Sequence, residues 1–325
     1  MDLRDKKVLI TGGKGFLGTH VADEIKRLGL HIEDLDQNIV NAAKPGTAYV
    51  FKSETADLTS IEQTYWLFKK IRPDVVIHLA AAVGGIKANS KAPGTFFYKN
   101  MTMGMNVIEA CRIYKTSKLA IIGTVCSYPK WTPTPFKEID LWNGYPEETN
   151  APYGIAKKAL FVQADAYKKE YGMDSICLLP VNLYGPNDNF DLETSHVIPA
   201  LIKKMYDAKK YDMPKMECWG SGSASREFLY VKDAAAAIVK AVTFYNKTEP
   251  VNIGTGQEIT IVDLANKIKE YTRYRGEIVW RNDDIDGQKR RCLDTTKAAE
   301  EFGFTARTTL DEGLKETIKW YDQNN

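Results

Sequence analysis

What this sequence lacks narrows its class. No apolar run approaches the roughly 20 residues needed to cross a bilayer. The opening MDLRDKKVLITGG has no charged-then-apolar leader ending in a small-residue cleavage site. These features predict a cytoplasmic protein with no membrane partner. No C-x-x-C pair occurs, and the cysteines (Cys111, Cys126, Cys177, Cys218, Cys292) are odd in number and widely spaced. That leaves a disulfide framework and structural zinc without support, so we expect free thiols and no metal. The formal net charge is only +2, so the overall balance does not point to a nucleic-acid polymer. There is no internal repeat and no low-complexity tract.

What is present is a β-α alternation. The 325 residues suit one open α/β domain with a smaller lobe. KKVLITGGKGFLGTHVADEIKRLGL (6–30) reads as strand, glycine turn and helix, with Leu17, Val21, Ile25 and Leu28 at helical spacing. Two stretches compete for the next strand. HIEDLD (31–36) would put acids in a buried strand, whereas TAYVFK (47–52) has the β-branched and aromatic character such a strand prefers, so we favour the second. Ser60 and Gln63 have capping-box spacing before the next helix. Further strands are expected at 73–81, 118–124 and 175–182, and helices near 100–115 and 152–171. The pattern implies an α/β fold with a doubly wound parallel sheet. Residues 1–182 would form the dinucleotide-binding part. Residues 183–325 would mainly form a substrate lobe, with segments near 220–255 returning to the first. Thr309 and Glu312 are placed to cap a last helix over 310–322.

TGGKGFLG spaces glycines as Gly12-x-x-Gly15-x-x-Gly18 between a strand and a helix. Glycines let the backbone turn sharply and approach a pyrophosphate, whose charge then meets a helix N-terminus. Lys14, and Lys52 with Ser53 after the favoured second strand, suit a ribose 2′-phosphate. Were HIEDLD the relevant strand, Asp36 would instead suit the 2′-hydroxyl of NAD. The balance favours NADP.

PYGIAKKA places Tyr153 and Lys157 four apart on one helical face. An ammonium beside a phenol favours the phenolate and should lower its pKa. Such a tyrosine can give a proton to a carbonyl oxygen, and Thr124, at a strand end, can hydrogen-bond the same oxygen. The loop and the Thr/Tyr/Lys set resemble the short-chain dehydrogenases/reductases, in their extended branch that works on nucleotide sugars. That resemblance implies a Rossmann-type sheet.

Several stretches narrow the likeness: AAAVGGIKAN (80–89), CSYPK (126–130), PYGIAKKA (152–159), NLYGPNDNF (182–190), SHVIPALIKK (195–204) and WGSGSASREFLYVKD (219–233). Together they resemble the GDP-L-fucose synthases, which are GDP-4-keto-6-deoxymannose 3,5-epimerase-reductases, over nearly the whole chain. The resemblance implies an NADPH-dependent enzyme that epimerises C3 and C5 of a 4-keto sugar and reduces C4 to give GDP-L-fucose. The family's catalytic cysteine falls on Cys126, its histidine on His196 and its serine on Thr124. Val125 and Ser127 depart from the usual pattern. The cofactor set implied is Gly12, Gly13, Lys14, Gly15, Phe16, Leu17, Gly18, Lys52, Ser53, Ile122, Gly123, Lys157, Pro180, Asn182, Leu183 and His196. The GDP-sugar would meet Thr124, Asn182, Lys204 (often arginine in the family), Trp219, Arg226, Asp286 and Arg291. A homodimer through the helices near 100–115 and 153–171 is also implied, although Met101, Met105 and Ile108 are equally explained by core packing.

The residues support that chemistry. A ketone at C4 acidifies the hydrogens at C3 and C5, and inversion needs a base on one face and an acid on the other. A thiol and an imidazole titrate near neutral pH. Read without the resemblance, Cys126 is an inert small hydrophobe and His196 a packing residue at a helix start. His20, His31 and His78 read as structural. Two alternatives stay open. One is a reductase or epimerase of a related keto sugar, a dideoxy or heptose derivative. The other is a non-catalytic NADP-binding regulator, which the intact Thr124, Tyr153 and Lys157 oppose.

Overall fold

A computed structural model describes residues 1–36, 43–281 and 288–325. Its centre is a seven-stranded, fully parallel sheet. The strands are β1 (Lys7–Thr11), β2 (His31–Asp34), β3 (Thr47–Val50), β4 (Val75–His78), β5 (Lys118–Ile122), β6 (Ser175–Pro180) and β10 (Val251–Ile253), in the order β10-β6-β5-β4-β1-β3-β2. Central strands such as VVIH and SICLLP are buried along their whole length. A parallel sheet covered on both faces selects such continuous apolar runs. The helices α1 (Phe16–Arg27) and α7 (Val231–Phe244) pack against each other, as do α4 (Pro93–Ile113) and α5 (Ala151–Tyr171), and α2 (Ile61–Ile71) lies against α4.

The favoured second strand pairs directly with β1, as its apolar content predicts. The stretch set aside, HIEDLD, is also a strand: β2 adds outside β3, at the sheet edge. An edge strand leaves its acids partly in water, so they do not exclude it from the sheet as they would from its centre. The last strand, β10, arrives from late in the chain, and Leu293, Ala298, Phe302 and Phe304 join the same core.

The second lobe is organised by β9 (Ser225–Tyr230). It pairs with β11 (Glu258–Thr260), β13 (Arg290–Arg291) and β7 (Asn182–Tyr184), while β8 (Lys215–Trp219) pairs with β12 (Glu277–Arg281). Helices α6 (Val197–Lys210), α8 (Ile261–Thr272) and α10 (Leu310–Asn324) bury Ile202, Met205, Leu264, Ile268, Leu314 and Ile318 in a core of their own. Each such side chain contributes about 1.5–3 kcal/mol. The last two helices are α3 (Ile86–Lys91) and α9 (Thr296–Phe302).

Two cap expectations have different outcomes. Thr309 and Glu312 form a reciprocal capping box at the start of α10. Ser60 Oγ accepts the Gln63 amide at 3.2 Å, but Gln63 Oε1 accepts instead from the Asp57 amide at 2.8 Å. The box is therefore opened toward the preceding turn. The helix expected near 100–115 begins earlier, at Pro93, because proline suits a first turn whose amides have no helical partner. No disulfide is formed, since all five cysteines are free. Among the described residues no helix is long and apolar enough to cross a membrane.

Candidate active site

The parallel strands end at one edge of the sheet, and the chain turns there to build a single cavity of about 1310 Å³. Ligand chemistry in open α/β sheets collects at these carboxyl ends. A site for one small molecule spans roughly 300–1,000 Å³, and this cavity is larger than that.

The glycine loop forms one wall. A Cβ at Gly18 would overlap the Gly12 carbonyl oxygen and the Gly13 backbone. The loop therefore folds directly onto the first turn of α1, where no side chain caps the helix and no acidic residue occupies the first turn. Its amides suit an anion. Gly12, Lys14, Gly15, Phe16, Leu17 and Gly18 line the cavity; Gly13 does not, since its Cα packs against Val50 behind the loop.

Lys14 is engaged differently from the expectation. Its ammonium is held by Asp34 at 2.7 Å and Asp36 at 2.8 Å, and both carboxylates raise its pKa. Burial works against ionisation of Asp36. Hydrogen bonds from Lys14, Thr55 and the Lys52 amide outweigh it and hold that carboxyl down at about 2. The edge strand thus delivers acids beside Lys14, Lys52 and Ser53, the groups expected to meet a 2′-phosphate.

A second wall starts where β5 ends. Ile122 and Gly123 lead into Thr124, whose Oγ1 accepts the Cys126 amide at 3.2 Å and caps a single turn over Val125–Ser127. Ser127 Oγ donates to the Gly154 carbonyl at 3.0 Å. A Cβ at Gly154 would overlap the Cys126 carbonyl oxygen. This close approach docks the start of α5 on the turn and brings Tyr153 beside Thr124 and Cys126. Lys157 follows one helical turn on.

The electrostatics correct one expectation. The Tyr153 phenol is pushed up, chiefly by burial and then by Cys126, with the Thr124 hydroxyl pulling the other way. Desolvation outweighs the expected lowering by a neighbouring ammonium. Lys157 is itself buried and falls to about 8. His78, beneath it in β4, is lowered to about 3 by burial and then by the Lys157 charge. Its Nδ1 lies 2.8 Å from Thr11 Oγ1, which fits the structural role expected. His20 likewise bonds the Pro186 carbonyl at 2.9 Å. His31 opens the edge strand β2.

His196 sits at the N-cap of α6 and borders the same cavity; it is partly open to solvent, and desolvation by the surrounding protein lowers its pKa. The remaining expected residues Lys52, Ser53, Pro180, Asn182, Leu183, Lys204, Trp219, Arg226 and Arg291 also line the cavity. Lys204 donates to the Glu217 carbonyl at 3.0 Å and lies 4.6 Å from the Trp219 ring centre. Arg226 Nη1 donates to the Ser225 carbonyl at 2.7 Å. Arg291 Nη1 lies 3.4 Å from Cys126 Sγ. Asp286 lies outside the described residues. Sequence reasoning missed Gln288, which lines the cavity, and Asp34, which holds Lys14. Only the acids of HIEDLD and the polar run DGQKRR hinted at them.

Comparison with known proteins agrees with this geometry. A model of the NAD dependent epimerase/dehydratase family matches residues 8–254. The chain is 38% identical over 325 residues to a probable GDP-L-fucose synthase 1 of Oryza sativa subsp. japonica, covering 99% of this chain and 94% of that one. Among solved structures it resembles a GDP-L-fucose synthetase from Naegleria fowleri bound to NADP, at 28% identity and a TM-score of 0.86 over 99% and 94% of the two chains. It also resembles a GDP-6-OMe-4-keto-L-xylo-heptose reductase from C. jejuni, at 25% identity and a TM-score of 0.87 over 99% of each.

Proposed function

We propose a function from one premise: the chain belongs to the NAD dependent epimerase/dehydratase family, within its GDP-L-fucose synthase branch. It is an NADP-dependent oxidoreductase/epimerase, and the specific reaction we assign is 3,5-epimerisation and C4 reduction of GDP-4-keto-6-deoxy-D-mannose to GDP-L-fucose. The observation that carries the reading is the convergence of Thr124, Cys126, Tyr153, Lys157 and His196 on one cavity, with Lys204, Trp219 and Arg226 along its other side.

The residues fit NADP(H). The glycine loop packs on the first turn of α1, whose N-terminus has no side-chain cap and borders the cavity, and the buried Lys157 lines the same cavity. Lys157 would hold the nicotinamide ribose, and the amides opening α1 the pyrophosphate. The bound cofactor supplies the hydride.

The protein's own groups then manage protons. Cys126 removes a proton from one face of the sugar at C3 or C5, and His196 returns one from the other. Thr124 and Tyr153 donate hydrogen bonds to the developing oxyanion at C4. Burial keeps Tyr153 in its proton-bearing form, so it can protonate the same oxygen during reduction. Lys204 and Arg226 provide positive charge for the diphosphate, and Trp219 an apolar face for the nucleotide.

The test is NMR product analysis with the keto sugar in deuterated water. Cys126→Ser should suppress deuterium uptake at C3 and C5. Tyr153→Phe should slow reduction by about 10²–10⁴-fold. Unchanged uptake and product stereochemistry in Cys126→Ser would remove the role given to the thiol. The likeness to a heptose reductase favours a second reading, a related GDP-keto-heptose, which the same assay separates by turnover. We also infer a homodimer through α4 and α5, whose outer faces expose Phe97, Tyr98 and Val162. A monomer by analytical ultracentrifugation would exclude it.

A further inference from the structure

We propose that Arg291 is a positioning residue for epimerisation, its guanidinium orienting the Cys126 sulfur through direct contact. This rests on the assignment of Cys126 to that step.

Arg291 Nη1 donates toward Cys126 Sγ at 3.4 Å. Its Nε donates to Gln288 Oε1 at 3.0 Å, and Gln288 Nε2 donates to the Lys130 carbonyl at 2.8 Å. The guanidinium is therefore oriented from behind, with one edge aimed at sulfur. Arg291 is only 7% exposed, and among the described residues it has no carboxylate within ion-pair distance. Glu147 feels its charge. Burial opposes ionisation there, but hydrogen bonds from Thr149 and Asn150, together with Arg291, keep the Glu147 carboxyl below its ordinary value. A buried cation gains most from an anion in direct contact. The contact on offer is sulfur, which can take up a negative charge.

Among the described residues, the cation recorded in contact with the Cys126 sulfur is Arg291. Thr124 accepts the Cys126 amide and is neutral. Tyr153 is held protonated by burial. Lys157 and His196 face the same cavity from α5 and the start of α6. An arginine does not lose its proton in the working range, so its field persists at every pH the enzyme meets.

The backbone holds the arginine firmly. Arg291 is paired in register with Arg226 of β9. Just beyond it, the Leu293 amide donates to Glu227 Oε2 at 2.6 Å, and that carboxylate is fully buried. The Phe136 amide donates to the Cys292 carbonyl at 2.8 Å, and the Asp294 amide to the Phe136 carbonyl at 2.9 Å. The segment is thus stitched to both lobes. Arg291 also lines the cavity in which the nucleotide sugar is expected to bind, and within it Nη1 is directed toward the thiol.

The experiment measures alkylation of Cys126 by iodoacetamide against pH, followed by mass spectrometry on the cofactor-free protein. The other four thiols are buried and serve as internal controls. Arg291→Met should slow alkylation of Cys126 near pH 7 by about tenfold. Arg291→Lys keeps the cation and should recover part of the rate. Gln288→Leu, which frees Nε, should show a smaller slowing and guards against a folding failure in Arg291→Met. Matching pH profiles in the wild type and these variants would overturn the proposal. The outcome is independent of the keto-sugar assay. Unsuppressed deuterium uptake in Cys126→Ser would instead defeat the epimerisation role while leaving the Arg291–Cys126 coupling standing.

Discussion

Lys157 is 2% exposed, and burial lowers its pKa from 10.5 to about 8. A drop of about 2.5 units at 1.36 kcal/mol each is roughly 3 kcal/mol of stability that the fold forgoes to keep an ammonium there. The sign follows from proton counts. Below pH 8 both folded and unfolded lysine are charged, and the folded state carries the whole penalty. Between about pH 8 and 10.5 the unfolded chain binds a proton that the folded chain does not, so wild-type stability rises with pH. Lys157→Met leaves an apolar side chain of similar length in the same place. The variant should therefore be more stable than the wild type by roughly 3 kcal/mol below pH 8, and this advantage should fade by pH 10.5. With an unfolding entropy of about 2.1 cal/mol/K per residue, or about 0.7 kcal/mol/K over 325 residues, the gain corresponds to about 4 °C in Tm. Differential scanning calorimetry of both cofactor-free proteins from pH 7 to 10 measures it, and a turnover assay should show the variant impaired in reduction. A Tm difference that is zero or negative at pH 7, or that does not change with pH, would refute the reasoning.

Two further outcomes follow from contacts at the cavity. Asp36→Asn removes one of the two carboxylates on Lys14. It should shift the ratio of dissociation constants toward NADP⁺ over NAD⁺ by up to about fivefold, the range of a partly exposed ion pair. Calorimetric titration of both nucleotides reads this, and a shift toward NAD⁺ would contradict it. Gly154→Ala would force its new methyl group into the Cys126 carbonyl. Displacing the turn that carries Thr124 and Cys126 should lower kcat by about 10²-fold, with far-UV circular dichroism confirming the fold. Wild-type kcat in that variant would show that the close approach is not needed.

The sequence alone determined what depends on local order. Apolar runs and their period identified the central strands, and the glycine spacing marked the turn into α1. The pair Thr309 and Glu312 marked the start of α10. Tyr153 and Lys157 were placed on one face because helical spacing is local. Tertiary structure decided what depends on distant parts of the chain. The edge strand β2 was passed over because an acid's fate depends on which side of a sheet faces water, and that is set by where β3 pairs. The engagement of Lys14 followed from the same placement. The direction of the Tyr153 shift was misjudged because spacing reports neighbours along the helix but not burial, and desolvation was the larger effect. Nor could spacing reveal that a residue 165 positions away would be carried by β13 to the sulfur of Cys126. That contact exists only once β9, the Glu227 carboxylate and the Phe136 backbone have drawn the two lobes together.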